Sequence, residues 1–116
     1  IFDKVAALSP HFQRCLQSFA DHPLVGEARG VGMIGACELV ANKTTKAAFD
    51  PLGKAGLYCL ARCQANGLVV RAIGDVMAFC PPLIVSDDEV GEIFDRFGRS
   101  LDETLDWATR EGLLSN

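Results

Sequence analysis

Residues 68–83, LVVRAIGDVMAFCPPL, narrow the possible folds more than any other stretch of the chain. Two apolar runs flank Gly74-Asp75, and a Gly-X pair in that setting predicts a two-residue hairpin turn of type II′. With the turn there, Ile73 faces Val76, Arg71 faces Ala78 and Val69 faces Cys80 on one side of the ribbon. Five of those six side chains are apolar and the sixth is a guanidinium. A permanent charge among apolar neighbours is costly unless an anion meets it. Two kinds of anion are open at this point: an internal carboxylate (Asp75, Glu38 or Asp50) or the carboxylate of a bound ligand.

The remaining elements follow from periodicity. Val5, Leu8, Phe12, Leu16 and Phe19 recur at spacings of three and four and predict an amphipathic helix, either kinked or restarted at Ser9-Pro10 and ended by Asp21-His22-Pro23. His11 and His22 read as cap or surface residues of that helix. A glycine-rich stretch follows, and Gly30-Val31-Gly32-Met33-Ile34-Gly35 spells a literal G-x-G-x-x-G. The dinucleotide fingerprint needs a helix opening inside the glycines. Residues 33–40 instead read as a short buried strand that breaks into a polar Asn42-Lys43-Thr44-Thr45-Lys46 connection, so the glycines serve a bend or a close approach of backbones.

A second helix is expected from Pro51 to Asn66, capped by Asp50 and stopped by Asn66-Gly67, with Leu52, Ala55, Cys59, Leu60 and Cys63 on one stripe. After the hairpin, Ser86 and Glu89 form a capping box. It opens a last helix whose stripe is Val90, Ile93, Phe94, Phe97, Leu101, Leu105 and Ala108. The acids Asp87, Asp88 and Glu89 suit the positive end of that helix rather than a metal. Trp107 is expected to pack or to anchor an interface. The order helix, one or two strands, helix, hairpin, helix predicts a two-layer α+β domain: three or four mainly antiparallel strands with helices on one face.

At 116 residues and 49% hydrophobic content, the chain is sized and composed for one globular domain. Its net charge of −4 argues against nucleic acid or an anionic membrane as the main partner. No apolar run approaches the ~20 residues of a membrane span. The five cysteines, an odd number scattered among apolar neighbours, fit reduced thiols of a cytoplasmic protein. Cys59 and Cys63 are one helical turn apart, but no second pair accompanies them, so they read as small buried hydrophobes and no metal site is expected.

The VVRAIGD segment, followed by Cys80-Pro81-Pro82-Leu83 and Ser86-Asp87-Asp88-Glu89-Val90, resembles the C-terminal part of class III aminotransferases, in particular omega-amino acid:pyruvate members. Residues 22–35, HPLVGEARGVGMIG, resemble the start of the same family's small C-terminal domain. The resemblance spans essentially the whole chain. It implies a fold-type-I enzyme that uses pyridoxal 5'-phosphate to move an amino group from an amine or omega-amino acid to pyruvate or a similar keto acid. It also implies that Arg71 binds the substrate carboxylate and that the enzyme works as a homodimer. The family's Schiff-base lysine and phosphate-binding residues belong to a large domain that precedes this segment. Lys4, Lys43, Lys46 and Lys54 do not fall at that lysine's place, and the ANKTTK stretch reads as solvated rather than as a desolvated pocket. The chain is therefore expected to be the small domain of a longer polypeptide, inactive alone, with the cofactor held by the large domain. Two other readings stand beside this one: a free-standing α+β module binding a small anion at Arg71, and an interaction domain that dimerises through the Arg71 face.

Overall fold

The computed structural model describes residues 2–79 and 86–114. Apolar spacing carries the chain through helix α1 (Phe2–Gln17), which continues across Pro10. Proline removes one backbone donor. The helix persists because Leu8, Phe12 and Leu16 are buried on its inner stripe. A short 3₁₀ turn (Ser18–Asp21) then ends the segment before Pro23.

The glycine-rich stretch forms a hairpin of β1 (Val25–Val31) and β2 (Ile34–Leu39), as its refusal of a crossover helix required. Leu16 of α1 packs directly over the paired Gly30 and Gly35, a contact that side chains at those positions would block. The Gln13 amide also donates to the Gly32 carbonyl at 2.8 Å, tying the turn to α1. The second hairpin, β3 (Arg71–Ile73) and β4 (Val76–Phe79), has the expected register, with Arg71 opposite Ala78 and Ile73 opposite Val76. Gly74 alone in the turn has positive φ, +60°, which the first position of a type II′ turn demands. The Val69–Cys80 pairing cannot be followed, since Cys80 lies outside the described residues. The four strands form one antiparallel sheet in the order β1-β2-β4-β3.

Helix α2 (Lys54–Ala65) starts later than its sequence suggests. Asp50 does not cap it. Gly53 occupies the cap position with no side-chain cap of its own, and the capping carboxylate comes from Asp75 in the hairpin turn. The C-terminal end matches expectation. Leu68 N–H donates to the Cys63 carbonyl at 2.8 Å and Gly67 N–H to Gln64 at 3.1 Å, a Schellman arrangement with Gly67 at φ +80°. Asn66 and Arg62 both donate to Glu103, which ties α2 to the last helix and holds that carboxyl below the usual carboxylate range.

Helix α3 (Asp87–Arg110) opens with the full capping box of Ser86 and Glu89. Changing Ser86 to Ala removes the acceptor for Glu89 N–H and is expected to cost about 1 kcal/mol in urea denaturation. Of the predicted stripe, Val90, Phe94, Phe97, Leu101 and Ala108 are buried and Ile93 and Leu105 half-buried; Ser100 and Thr104 join it, and their hydroxyls bond back to the carbonyls of Arg96 and Ser100. A cluster of five phenylalanines forms the centre of the core: Phe12 and Phe94 are 5.2 Å apart, Phe79 and Phe97 are 4.6 Å apart, and Phe19 bridges Phe94 and Phe97. Trp107 stacks on Tyr58 of α2 at 4.2 Å and 5°, so it packs within the helical layer.

Candidate functional site

Alternation along the strands sends Cys37, Leu39, Met77 and Phe79 toward the helices. The opposite parity faces away from them. One row on that open face runs straight across the sheet: Arg29 pairs with Ala36, Ala36 with Ala78, and Ala78 with Arg71. Two arginines thus stand at the ends of a row floored by two methyl groups. The next row runs Glu27, Glu38, Val76 and Ile73, acidic at its β1–β2 end and apolar at its β4–β3 end, where Ile73 is 59% exposed. Val69, just before β3, is 93% exposed, so the apolar face around Arg71 is bare within this chain.

The internal acids do not reach Arg71. Asp75 turns inward onto α2, with 2.8 Å to Gly56 N–H and 3.0 Å to Gly53 N–H. Glu38 lies 3.6 Å from the Arg29 guanidinium, which also pairs with Glu27 at 3.1 Å. Among the described residues the Arg71 side chain makes no ion pair or hydrogen bond, and Asp50 makes no ion pair either. The internal salt bridge considered for Arg71 is therefore corrected: its candidate acids are held elsewhere or stand apart. The hollow beside the hairpin turn, lined by Leu39, Val40, Leu52, Ile73 and Val76, does not include Arg71. The arginine stands on an open surface with all its donors available.

The other candidates resolve into structural roles. His11 meets Asp87 at the start of α3 at 2.7 Å. His22 accepts Leu24 N–H at Nδ1, which leaves Nε2 to donate to Asp102 at 3.0 Å. Cys37, Cys59 and Cys63 are buried, and burial pushes the Cys37 thiol up to about 12. Cys59 donates to Cys63, which raises the former and lowers the latter. No group of three His, Cys, Asp or Glu side chains converges as metal ligands among the described residues.

The ANKTTK stretch is largely exposed, as its composition suggested, with Lys46 exposed and Lys43 half-buried, but both ammonium groups are engaged. Lys43 donates to the carbonyls of Ala20 and Val25, and Lys46 to that of Gly26, so both staple the connection to the β1 end of the sheet. Lys54 lies at the surface with its ammonium 5.9 Å from the Trp107 ring. Lys43 and Lys46 are engaged by backbone carbonyls and Lys54 is exposed, so none of the three is the free, desolvated amine that a Schiff base needs.

A four-stranded antiparallel sheet covered on one face by three helices, with an unpartnered guanidinium on the other, defines a small two-layer α+β domain. The description "Aminotransferase class-III" matches residues 1–101, and the chain belongs to that family. It is 46% identical over 105 residues to putrescine–pyruvate aminotransferase of Pseudomonas aeruginosa, covering 90% of this chain and 23% of that protein. It is 40% identical over 102 residues to mitochondrial gamma aminobutyrate transaminase 1 of Solanum lycopersicum, with coverages of 88% and 20%. Among solved structures, the omega transaminase from Pseudomonas jessenii in complex with PMP superposes with a TM-score of 0.85 at 49% identity. That match covers 90% of this chain and 23% of the other. The chain thus spans between a fifth and a quarter of the length of these relatives.

Proposed function

We propose that this chain is the small C-terminal domain of a pyridoxal-phosphate-dependent transaminase and that Arg71 grips the substrate carboxylate. The observation that carries the reading is the unpartnered guanidinium at the bare, apolar β3–β4 end of the open sheet face. A fork of donors with no internal acid is matched by a carboxylate, which accepts two parallel N–H bonds. The alanine floor of its row, Ala36 and Ala78, leaves the space beside it unfilled. A keto acid held there would be fixed in orientation, and orientation is this domain's contribution to the rate. Pyridoxal phosphate, held by the large domain of the same polypeptide, supplies the electron sink. The large domain also covers the apolar face, and two copies of the full polypeptide form the working cytoplasmic enzyme. The amine partner is a diamine or an omega-amino acid, the classes named for the similar proteins of P. aeruginosa and S. lycopersicum.

The test is amino transfer by the full-length protein loaded with pyridoxal phosphate. Putrescine or 4-aminobutyrate is supplied with pyruvate, and alanine is measured. Alanine is expected from at least one of these amines, and none from the isolated chain under the same conditions. Failure of the full-length protein with every amine and keto acid tried overturns the proposal.

A further inference from the structure

Asp75 is at the tip of a surface hairpin turn, where a charged side chain ordinarily points into water. Here it is 6% exposed. Its Oδ1 accepts Gly56 N–H at 2.8 Å and its Oδ2 accepts Gly53 N–H at 3.0 Å, two backbone donors at the start of α2 that the helix itself leaves without partners. Its backbone carbonyl accepts Leu39 N–H from β2 at 2.8 Å. The contact is close as well as polar. A Cβ on Gly56 would drive into the Gly74 carbonyl, so the helix and the turn touch backbone to backbone. Strand β3 has only three residues and pairs only with β4. As a short edge strand it has no second strand beside it; the buried Leu68 and Val70 hold its near end, and the Gly74-Asp75 turn ties its far end to α2.

We propose that Asp75 is the positioning residue for Arg71: its two-pronged hold on the start of α2 sets where the β3 edge, and the guanidinium it carries, stands on the sheet face. The inference rests on Arg71 being the carboxylate grip and adds the residue that aims it. A helix cap with no such role would affect all substrates alike through stability. A positioning residue affects only reactions that use the aimed group.

The test uses the full-length holoenzyme and follows each half-reaction by single-turnover kinetics. Asp75→Asn keeps the shape of the side chain but leaves one oxygen to accept where two did. Gly56→Ala disturbs the same contact from the helix side with Asp75 intact, and it stands in if Asp75→Asn does not fold. Either variant is expected to weaken apparent pyruvate binding about tenfold with the maximal rate little changed, since misplacements of about an ångström have effects of that order or larger. The half-reaction of putrescine, which has no carboxylate, should be unaffected. In an Arg71→Ala background neither change should weaken pyruvate further, because the aimed group is gone. Equal losses in both half-reactions beside a selective Arg71→Ala overturn the role of Asp75 alone. An unselective Arg71→Ala overturns the carboxylate reading, and this inference with it.

Discussion

Replacing Arg71 with alanine in the full-length enzyme is expected to cut catalytic efficiency with pyruvate or alanine by about tenfold to a hundredfold. Hydrogen bonds to charged groups contribute roughly 1.5–3 kcal/mol each, and a bidentate grip loses two at once. An amine donor without a carboxylate makes no such contact, so its half-reaction should be nearly unchanged. Folding should survive, because Arg71 makes no ion pair among the described residues and its removal strands no internal acid. Arg71→Lys should recover little, since an ammonium keeps the charge but not the planar fork. Single-turnover measurements of the two half-reactions, run beside thermal denaturation of each variant, check all of this. Equal damage to both half-reactions would count against the carboxylate assignment.

The largest stability effect is expected at Phe97. Its ring is fully buried and lies edge-on to both Phe79, at 4.6 Å, and Phe19, at 5.1 Å. Truncation to alanine loses the transfer free energy of the ring and leaves a cavity that its rigid neighbours close only in part, a combined cost of about 3–5 kcal/mol. Total stabilities of single domains are about 5–15 kcal/mol, so the loss takes from about a fifth of the margin to all of it. Phe97→Leu refills most of the volume and should cost much less. Urea denaturation of the three proteins gives the comparison, and a loss under about 1 kcal/mol for Phe97→Ala would show that the site collapses freely.

What could be read from the sequence was whatever neighbouring residues decide. The type II′ turn needs only Gly74, the last helix needs only Ser86 and Glu89 ahead of an apolar stripe, and both formed as expected. The stop of α2 at Asn66-Gly67 is local in the same sense. Its start is not. The carboxylate capping α2 lies 22 residues downstream of Gly53, and no pattern around Asp50-Pro51 could disclose it. The condition of Arg71 was hidden for a related reason. Whether a guanidinium is free depends on where every nearby acid goes, and Glu38 was taken by Arg29 on the far side of its row while Asp75 was taken by a helix. The exposure of the stretch holding Lys43 and Lys46 was legible, but their partners were not, because composition reports polarity and not which carbonyls a long side chain can reach.

The phenylalanine cluster has a consequence for how this chain acquires its structure. Phe12 comes from the first helix and Phe94 and Phe97 from the last, while Phe79 reaches them from the intervening sheet. The ring contacts therefore join segments far apart in the sequence. Without α3, α1 has only the β1–β2 hairpin to pack on and its Phe12 ring lacks its aromatic partner, and the entropy of closing the long loop between the two helices must be met before the ring contacts return it. The domain should fold in one step, with no stable half. Removing α1 or α3 should abolish the folded state rather than trim it.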